Sequence, residues 1–201
     1  MILATCGYAG AQGMANTNND SQTGNMRLVT TNAQLVRTVD SKNAAQGQIV
    51  TAKLTSSLKN AGTTELPKGT MLVGKVEQVK MSNNGGPGQL SIVFDQAQIS
   101  GGKTVPIKAT LLGAYPENTG DYWADTGTSG SEQAVQPRFI AADQTIDQEP
   151  GTLGHVALHS AVQSNASGVF INKDGNVDLK RGTRFQIAIA PETATMQQSG
   201  N

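Results

Sequence analysis

Two histidines, His155 and His159, are the residues whose type and spacing best suit metal binding. Four apart in "GHVALHS", they would share one face of either a strand or a helix, and two imidazoles so placed could hold zinc. A zinc site needs a third ligand, and the intervening Val-Ala-Leu supplies no glutamate of the kind the metalloprotease helix motif carries. His155 and His159 therefore read first as surface or partly buried histidines and second as metal candidates. Asp121, Asp125, Asp143, Asp147 and Glu149 cluster in one stretch. They lack the alternating Asp-x-Asp-x-Asp-Gly spacing of a calcium loop and read as a solvated acidic loop. "GTSGS" at Gly127 to Ser131 has its Gly and Ser in the wrong register for a nucleophile elbow. "NNGGPG" has neither the Lys-Ser/Thr nor the helix that a phosphate-binding glycine loop needs. The lone Cys6 lies in a short N-terminal run of small and apolar residues, which leaves no thiol for catalysis. The expectation is a protein that is not an enzyme and carries no cofactor.

Composition narrows the class further. The chain has 201 residues, room for one domain with tails. Fifteen basic and fifteen acidic residues cancel, so no overall field draws in nucleic acid or anionic lipid. Aromatics are only 4% of the chain against 23 glycines, which favours short strands joined by turns over helical bundles.

The N-terminal "MILATCGYAGAQG" resembles the end of a secretory signal peptide, with Ala9-Gly10-Ala11 as its cleavage site. An ordinary N-terminal tail is the alternative. A lipid anchor at Cys6, with Leu3-Ala4-Thr5-Cys6 as a lipobox, is a further reading that Thr5 fits poorly. No later run of about 18 apolar residues could cross a membrane as a helix. Export to the periplasm or beyond the cell is the expected location.

The elements that must position any site are strands. "GQIVTAKLTSSL" puts Val50, Ala52 and Leu54 on one face, "TMLVGKVEQVKM" does so for Leu72, Gly74 and Val76, and "LSIVF" for Leu90, Ile92 and Phe94. Val79 falls out of phase, which a bulge near Glu77 and Gln78 would restore. "TVPIKATLL" aligns Val105, Ile107, Ala109 and Leu111 after a Gly101-Gly102 hairpin turn, and Pro106 implies an edge or a bulge there. Residues 26–40 show no clean period and fit a strand or a short helix. Residues 117–149 break the rhythm as a long polar insertion, whose Tyr122, Trp123, Phe139 and Ile140 form a candidate contact surface. Further strands follow, ending with Phe185, Ile187 and Ile189 on one face. The expected organisation is a signal remnant and disordered N-terminus over 1–25, a single β domain over 26–192 and a polar tail over 193–201. The expected fold is all-β, a small barrel or sandwich of short, mostly antiparallel strands with one long polar insertion.

"LPKGT" at Leu66 to Thr70 nearly spells the Leu-Pro-x-Thr-Gly signal for wall attachment. That address needs Thr before Gly, a following apolar segment and a basic tail near the C-terminus, and none is present. Instead "LPKGTML" is echoed by "LKRGTRF" at Leu179 to Phe185. Each copy reads as a turn with glycine at a positive φ, Gly69 and Gly182, followed by a β-branched strand opener, Thr70 and Thr183.

"VTAKLTSSL", "LPKGTMLVGKV" and "GQLSIVFDQAQISGGKTVPIKA" together resemble the C-terminal β-barrel domain of the TrbI-like conjugation and type IV secretion family. Its members show an Ala-x-Leu strand, an Ile-Pro-Lys-Gly-Ser turn leading into a strand, and a further strand running into a hairpin. The resemblance spans Gly47 to Leu112, with a looser echo in Gly168 to Ile189. It implies a periplasmic scaffold component that works through protein partners or self-assembly. Residues 117–149 are polar rather than a pair of apolar helices, so it implies an assembly barrel and not a pore lining. The competing expectation is a ligand-binding or hydrolytic domain with its site beneath the 117–149 insertion and Tyr122, Trp123, His155 and His159 at the mouth.

Overall fold

Apolar and polar residues alternate along most strands, so each has one face to bury, and the sheet satisfies all of them at once by curling until its ends meet. The structure, a computed structural model, describes residues 28–58, 65–117, 139–140 and 144–191. It contains strands β1 (Leu28–Leu35), β2 (Val39–Asp40), β3 (Ile49–Leu54), β4 (Met71–Lys80), β5 (Gly88–Gln98), β6 (Thr104–Tyr115), β7 (Phe139–Ile140), β8 (Thr145–Leu153), β9 (Val156–Ala161), β10 (Gly168–Asn172), β11 (Asp178–Leu179) and β12 (Arg184–Pro191), with no helix among the described residues. Six of them close a ring in the order β4-β3-β1-β12-β6-β5 and back to β4, all antiparallel. The fold is an all-β closed barrel with extra strands. Strands β10, β9 and β8 extend the sheet beyond β5, while β2 and β11 form a separate two-stranded pair.

The barrel interior holds the residues that the alternation selects. Ala52, Leu72, Leu90, Ile92, Leu111, Phe185, Ile187 and Ile189 are fully enclosed. Phe185 stands between Phe94 and Phe170, with ring centroids 6.3 and 6.2 Å away. Because Phe170 comes from β10, this aromatic row ties the extension to the barrel.

The closure is uneven. Strands β5 and β6 pair only at Gln96↔Pro106, Ala97↔Val105 and Gln98↔Thr104; β5 then pairs with β10, from Ile92↔Gly168 onward. The freed edge of β6 would expose unpaired backbone groups, and the extension covers it. The Leu111 amide donates to the Ser167 carbonyl (2.8 Å), and Ser160 Oγ donates to the Leu111 carbonyl. The Gln148 side-chain amide works as a surrogate rung: Ala114 N–H donates to its Oε1 (2.7 Å), and its Nε2 donates to the Ala114 carbonyl (2.9 Å). Replacing Gln148 with alanine is expected to cost about 1–2 kcal/mol. Hydrogen exchange should quicken at the Ala114 amide ahead of the Phe94 amide, which Ser167 Oγ holds at 2.9 Å; equal quickening at both would refute the rung.

Several expectations are refined. Residues 26–40 are strand rather than helix where described, as β1 and β2. Their lack of a period has a physical cause. Both faces of β1 are covered, since Leu28, Ala188, Ala190 and Val162 form a second cluster on the outer wall, with Ile140 packed on it. The register does shift between Val76 and Gln78, which brings Val79 back onto the core. Pro106 lies neither on an edge strand nor at a bulge. Pairing to β12 reaches only Ile107 and pairing to β5 only Pro106, so the proline sits where the two ladders change over. The irregularity in β6 falls at Leu112, opposite Gln186 and Ile187. Within the stretch read as an insertion over 117–149, β7 and the first residues of β8 are strand. In β8 the alternate residues Thr145, Asp147 and Glu149 are polar and exposed, which hides the pattern.

Candidate functional site

The two Gly-Thr turns are built alike, atom for atom. Gly69 N–H donates to the Leu54 carbonyl and Gly182 N–H to the Leu35 carbonyl, each at 2.9 Å. Leu54 N–H in turn donates to the Thr70 carbonyl (2.9 Å) and Leu35 N–H to that of Thr183 (2.8 Å). Thr70 Oγ1 donates to the Pro67 carbonyl and Thr183 Oγ1 to that of Lys180, both at 2.7 Å. Gly69 has φ +92° and Gly182 φ +89°, a region that a side chain would strain. Each turn thereby locks its strand opener onto the end of a neighbouring barrel strand. Each threonine hydroxyl is buried, so the variants Thr70→Val and Thr183→Val are each expected to lose about 1 kcal/mol. Their sum, about 2 kcal/mol, should appear in the double variant; a clear departure from additivity in urea titrations would show the turns to be energetically coupled.

The likeness extends to the strands. β1 and β3 pair reciprocally, Ala33↔Leu54, Gln34↔Lys53 and Leu35↔Ala52. The hydrogen bonds beside them are reciprocal as well: Val36 N–H to the Thr51 carbonyl (3.0 Å) and Thr55 N–H to the Asn32 carbonyl (2.9 Å). A pseudo-twofold axis therefore passes between Gln34 and Lys53. It relates β1 with β12 to β3 with β4, and the Val39↔Leu179 pair to the Leu58↔Leu66 bridge. The echoed phrase in the sequence marks this axis, and the shared Ala-x-Leu of β1 and β3 is its second trace.

The two turns differ in what lies against them. Beside the first turn is an open groove of about 450 Å³, lined by Gly69, Met71, Gln98, Ile99, Ser100, Gly102 and Thr104. It lies between that turn and the β5–β6 hairpin. Lys68 and Lys103 are exposed neighbours of its lining residues. Lys53 reaches it too, its Cε 3.7 Å from where a β-carbon on Gly69 would stand. Beside the second turn the corresponding place is taken by a side chain. The Glu117 carboxylate lies over Gly182, with Oε2 2.5 Å from the position of a β-carbon there. Lys180 of this turn bonds to the Asp178 carboxylate, and that bond, then the charge of Asp178, holds its ammonium above the usual lysine pKa.

The other candidate residues are dispersed. His155 stands in the turn before β9 and His159 lies on β9, so the two do not share a strand face. Each faces its own carboxylate: His159 Nδ1 is 2.6 Å from Asp147 Oδ1 across the β8–β9 pairing, and His155 Nδ1 is 3.9 Å from Asp174 Oδ2. No group of three or more potential metal ligands gathers among the described residues. Ile140 pairs with Leu28 through β7 and packs on the outer-wall cluster, and Phe139 pairs with Val29. Tyr122, Trp123 and Cys6 lie outside the described residues. Burial raises the pKa of the Tyr115 phenol, and its ring covers Gly113, where a β-carbon would stand 2.7 Å from the hydroxyl. The Gly69 groove escaped sequence reasoning because its walls come from segments about 30 residues apart and carry no motif of their own. Its one legible signal was the turn itself.

No family model matches the chain, and no curated protein matches it. Among solved structures it is similar to ComB10 of the Com type IV secretion system of Helicobacter pylori, at 16% identity over 84% of this chain and 90% of that chain, with a TM-score of 0.33. The barrel assignment rests on the strand pairing itself. Among the described residues no helix is long and apolar enough to cross a membrane.

Proposed function

We propose that the chain is a non-enzymatic, exported interaction module of the cell envelope, related to the TrbI-like secretion scaffolds. It works by holding protein partners or further copies of itself in the periplasm or outside the cell. The observation that carries this reading is the placement of the resembling segments. Ala52-Lys53-Leu54 is on β3, Leu66 to Val76 is the turn and β4, and Gly88 to Ala109 is the β5–β6 hairpin, so the three segments are consecutive and paired walls of one barrel. Residues 26–192 form the working domain, and 1–25 and 193–201 are its tails. The dispersal of the histidines onto separate carboxylates supports a binding role over a hydrolytic one.

Photocrosslinking in cells tests the proposal, with a crosslinkable residue placed singly at Met71 in the groove and at Ile49, which is 65% exposed on the barrel wall. Adducts with a second copy or with a component of an envelope assembly are expected. A chain that stays monomeric by light scattering and crosslinks to nothing at either position would overturn the reading.

A further inference from the structure

The pseudo-twofold axis supplies an internal template for what the open groove binds. Arg184 opens β12 and pairs with Tyr115, while Met71 opens β4 and pairs with Gln98. Two residues beyond each partner, the strand exits reach Glu117 in one copy and Ser100 in the other, so these residues hold equivalent places. In the second copy the long side chain turns back and lays its carboxylate over Gly182. In the first copy the short Ser100 cannot reach Gly69, and the groove stays open. The charge around it differs in the same sense. Gln34, whose Nε2 donates to the Gly182 carbonyl (3.3 Å), is replaced across the axis by Lys53, which reaches over Gly69. Lys68 and Lys103 are exposed and adjoin the lining residues Gly69, Gly102 and Thr104 in the chain, and none of the three lysines makes an ion pair among the described residues.

We propose that the groove beside Gly69 is a docking site for an acidic, extended segment of a partner protein, which places a carboxylate against Gly69 as Glu117 does against Gly182. Glycine at this turn permits the close approach, since a β-carbon would occupy the carboxylate's place. The lysines favour the charge, and the volume exceeds what a single side chain fills. This inference rests on the reading of the chain as an interaction module and names the chemistry of one partner.

The test uses the full chain and a capped Ala-Tyr-Pro-Glu peptide, the chain's own sequence over residues 114–117. Saturable shifts of the Gly69, Ser100 and Gly102 amide resonances are expected, with a Kd on the order of 1 mM for so short a ligand. A Gln-ended peptide should bind about 2–5-fold more weakly, and so should the Lys53→Ala and Lys68→Ala variants each with the original peptide. The variant Ser100→Glu fills the groove from within and should abolish binding while leaving resonances of the β8–β10 extension in place. Absence of saturable shifts at Gly69, equal binding of the Gln-ended peptide, or full binding by Ser100→Glu would each overturn the proposal. So would inorganic phosphate producing the same shifts at the same concentration, which would make the groove a general anion site. A chain that crosslinks to partners in cells yet ignores the peptide fails only here, and the interaction reading stands.

Discussion

The Phe185→Ala variant is expected to lose about 3–5 kcal/mol of stability, the largest loss for any single side chain of the barrel. Phe185 is fully buried, and its ring stands next to both Phe94 and Phe170. Truncation leaves a cavity and also removes two aromatic contacts, one to the barrel and one to the β8–β10 extension. The neighbours cannot collapse into the space. In the ladder Phe185 stands between Ala33 on β1 and Ala114 on β6, both small and already buried. Since small domains are held by only about 5–15 kcal/mol, this one change removes a large part of the margin.

The pseudo-twofold axis adds a discriminating companion. The equivalent place in the first copy is Leu72 between Ala52 and Ala97, the same small-large-small arrangement with a smaller centre. Phe185→Leu is therefore expected to fold and to cost only about 1–2 kcal/mol. Urea titration of both variants checks this. Similar losses for alanine and leucine would mean that the aromatic contacts, rather than filled volume, hold this part of the core.

The Gly74→Ala variant is expected to lose about 3 kcal/mol or more, although it adds a single methyl group. Gly74 pairs with Phe94 beside a register shift at which β5 carries the extra residue, Asp95, and the two backbones approach closely there. A β-carbon at 74 would be driven into the Val93 carbonyl oxygen and would stand 2.8 Å from Phe94 Cα. The obstacle is backbone in the middle of a ladder, which cannot rotate aside as a side chain would. The exposed neighbour Lys75 makes the control: Lys75→Ala should stay within about 0.5 kcal/mol of the parent. A Gly74→Ala midpoint in urea indistinguishable from that of the control would show that the two strands separate at little cost.

Glycine at 74 also shows where sequence reading stops. Alternation put Gly74 on the inward face with Leu72 and Val76, and that face was right. Why the residue is glycine depends on how closely β5 approaches, and β5 follows it by some 14 residues and a turn. The bulge near Glu77 could be read because it reverses side-chain parity within one strand, a local event. The irregularity at Leu112 could not, because β6 answers there to β12, more than 70 residues away. Pro106 was misplaced for a related reason. Proline's missing donor is a local fact, whereas whether a ladder needs that donor depends on which neighbour stands opposite.

By itself the sequence determined the all-β class, the inward faces of the strands around Val50, Leu72, Ile92, Ile107 and Ile187, and the two Gly-Thr turns. These follow from side-chain period and from the steric freedom of glycine, which act within a few residues. Only the tertiary structure decided that the sheet closes as a barrel, that β8–β10 cover the open edge of β6, and that His155 and His159 have separate carboxylate partners. It alone revealed that the turns at Gly69 and Gly182 are halves of one pseudo-symmetric unit, one filled by Glu117 and one open. The reason is physical: closure, edge coverage and the groove are set by pairing between strands far apart in the chain, and a residue's own neighbours in sequence carry no record of which distant backbone will lie against it.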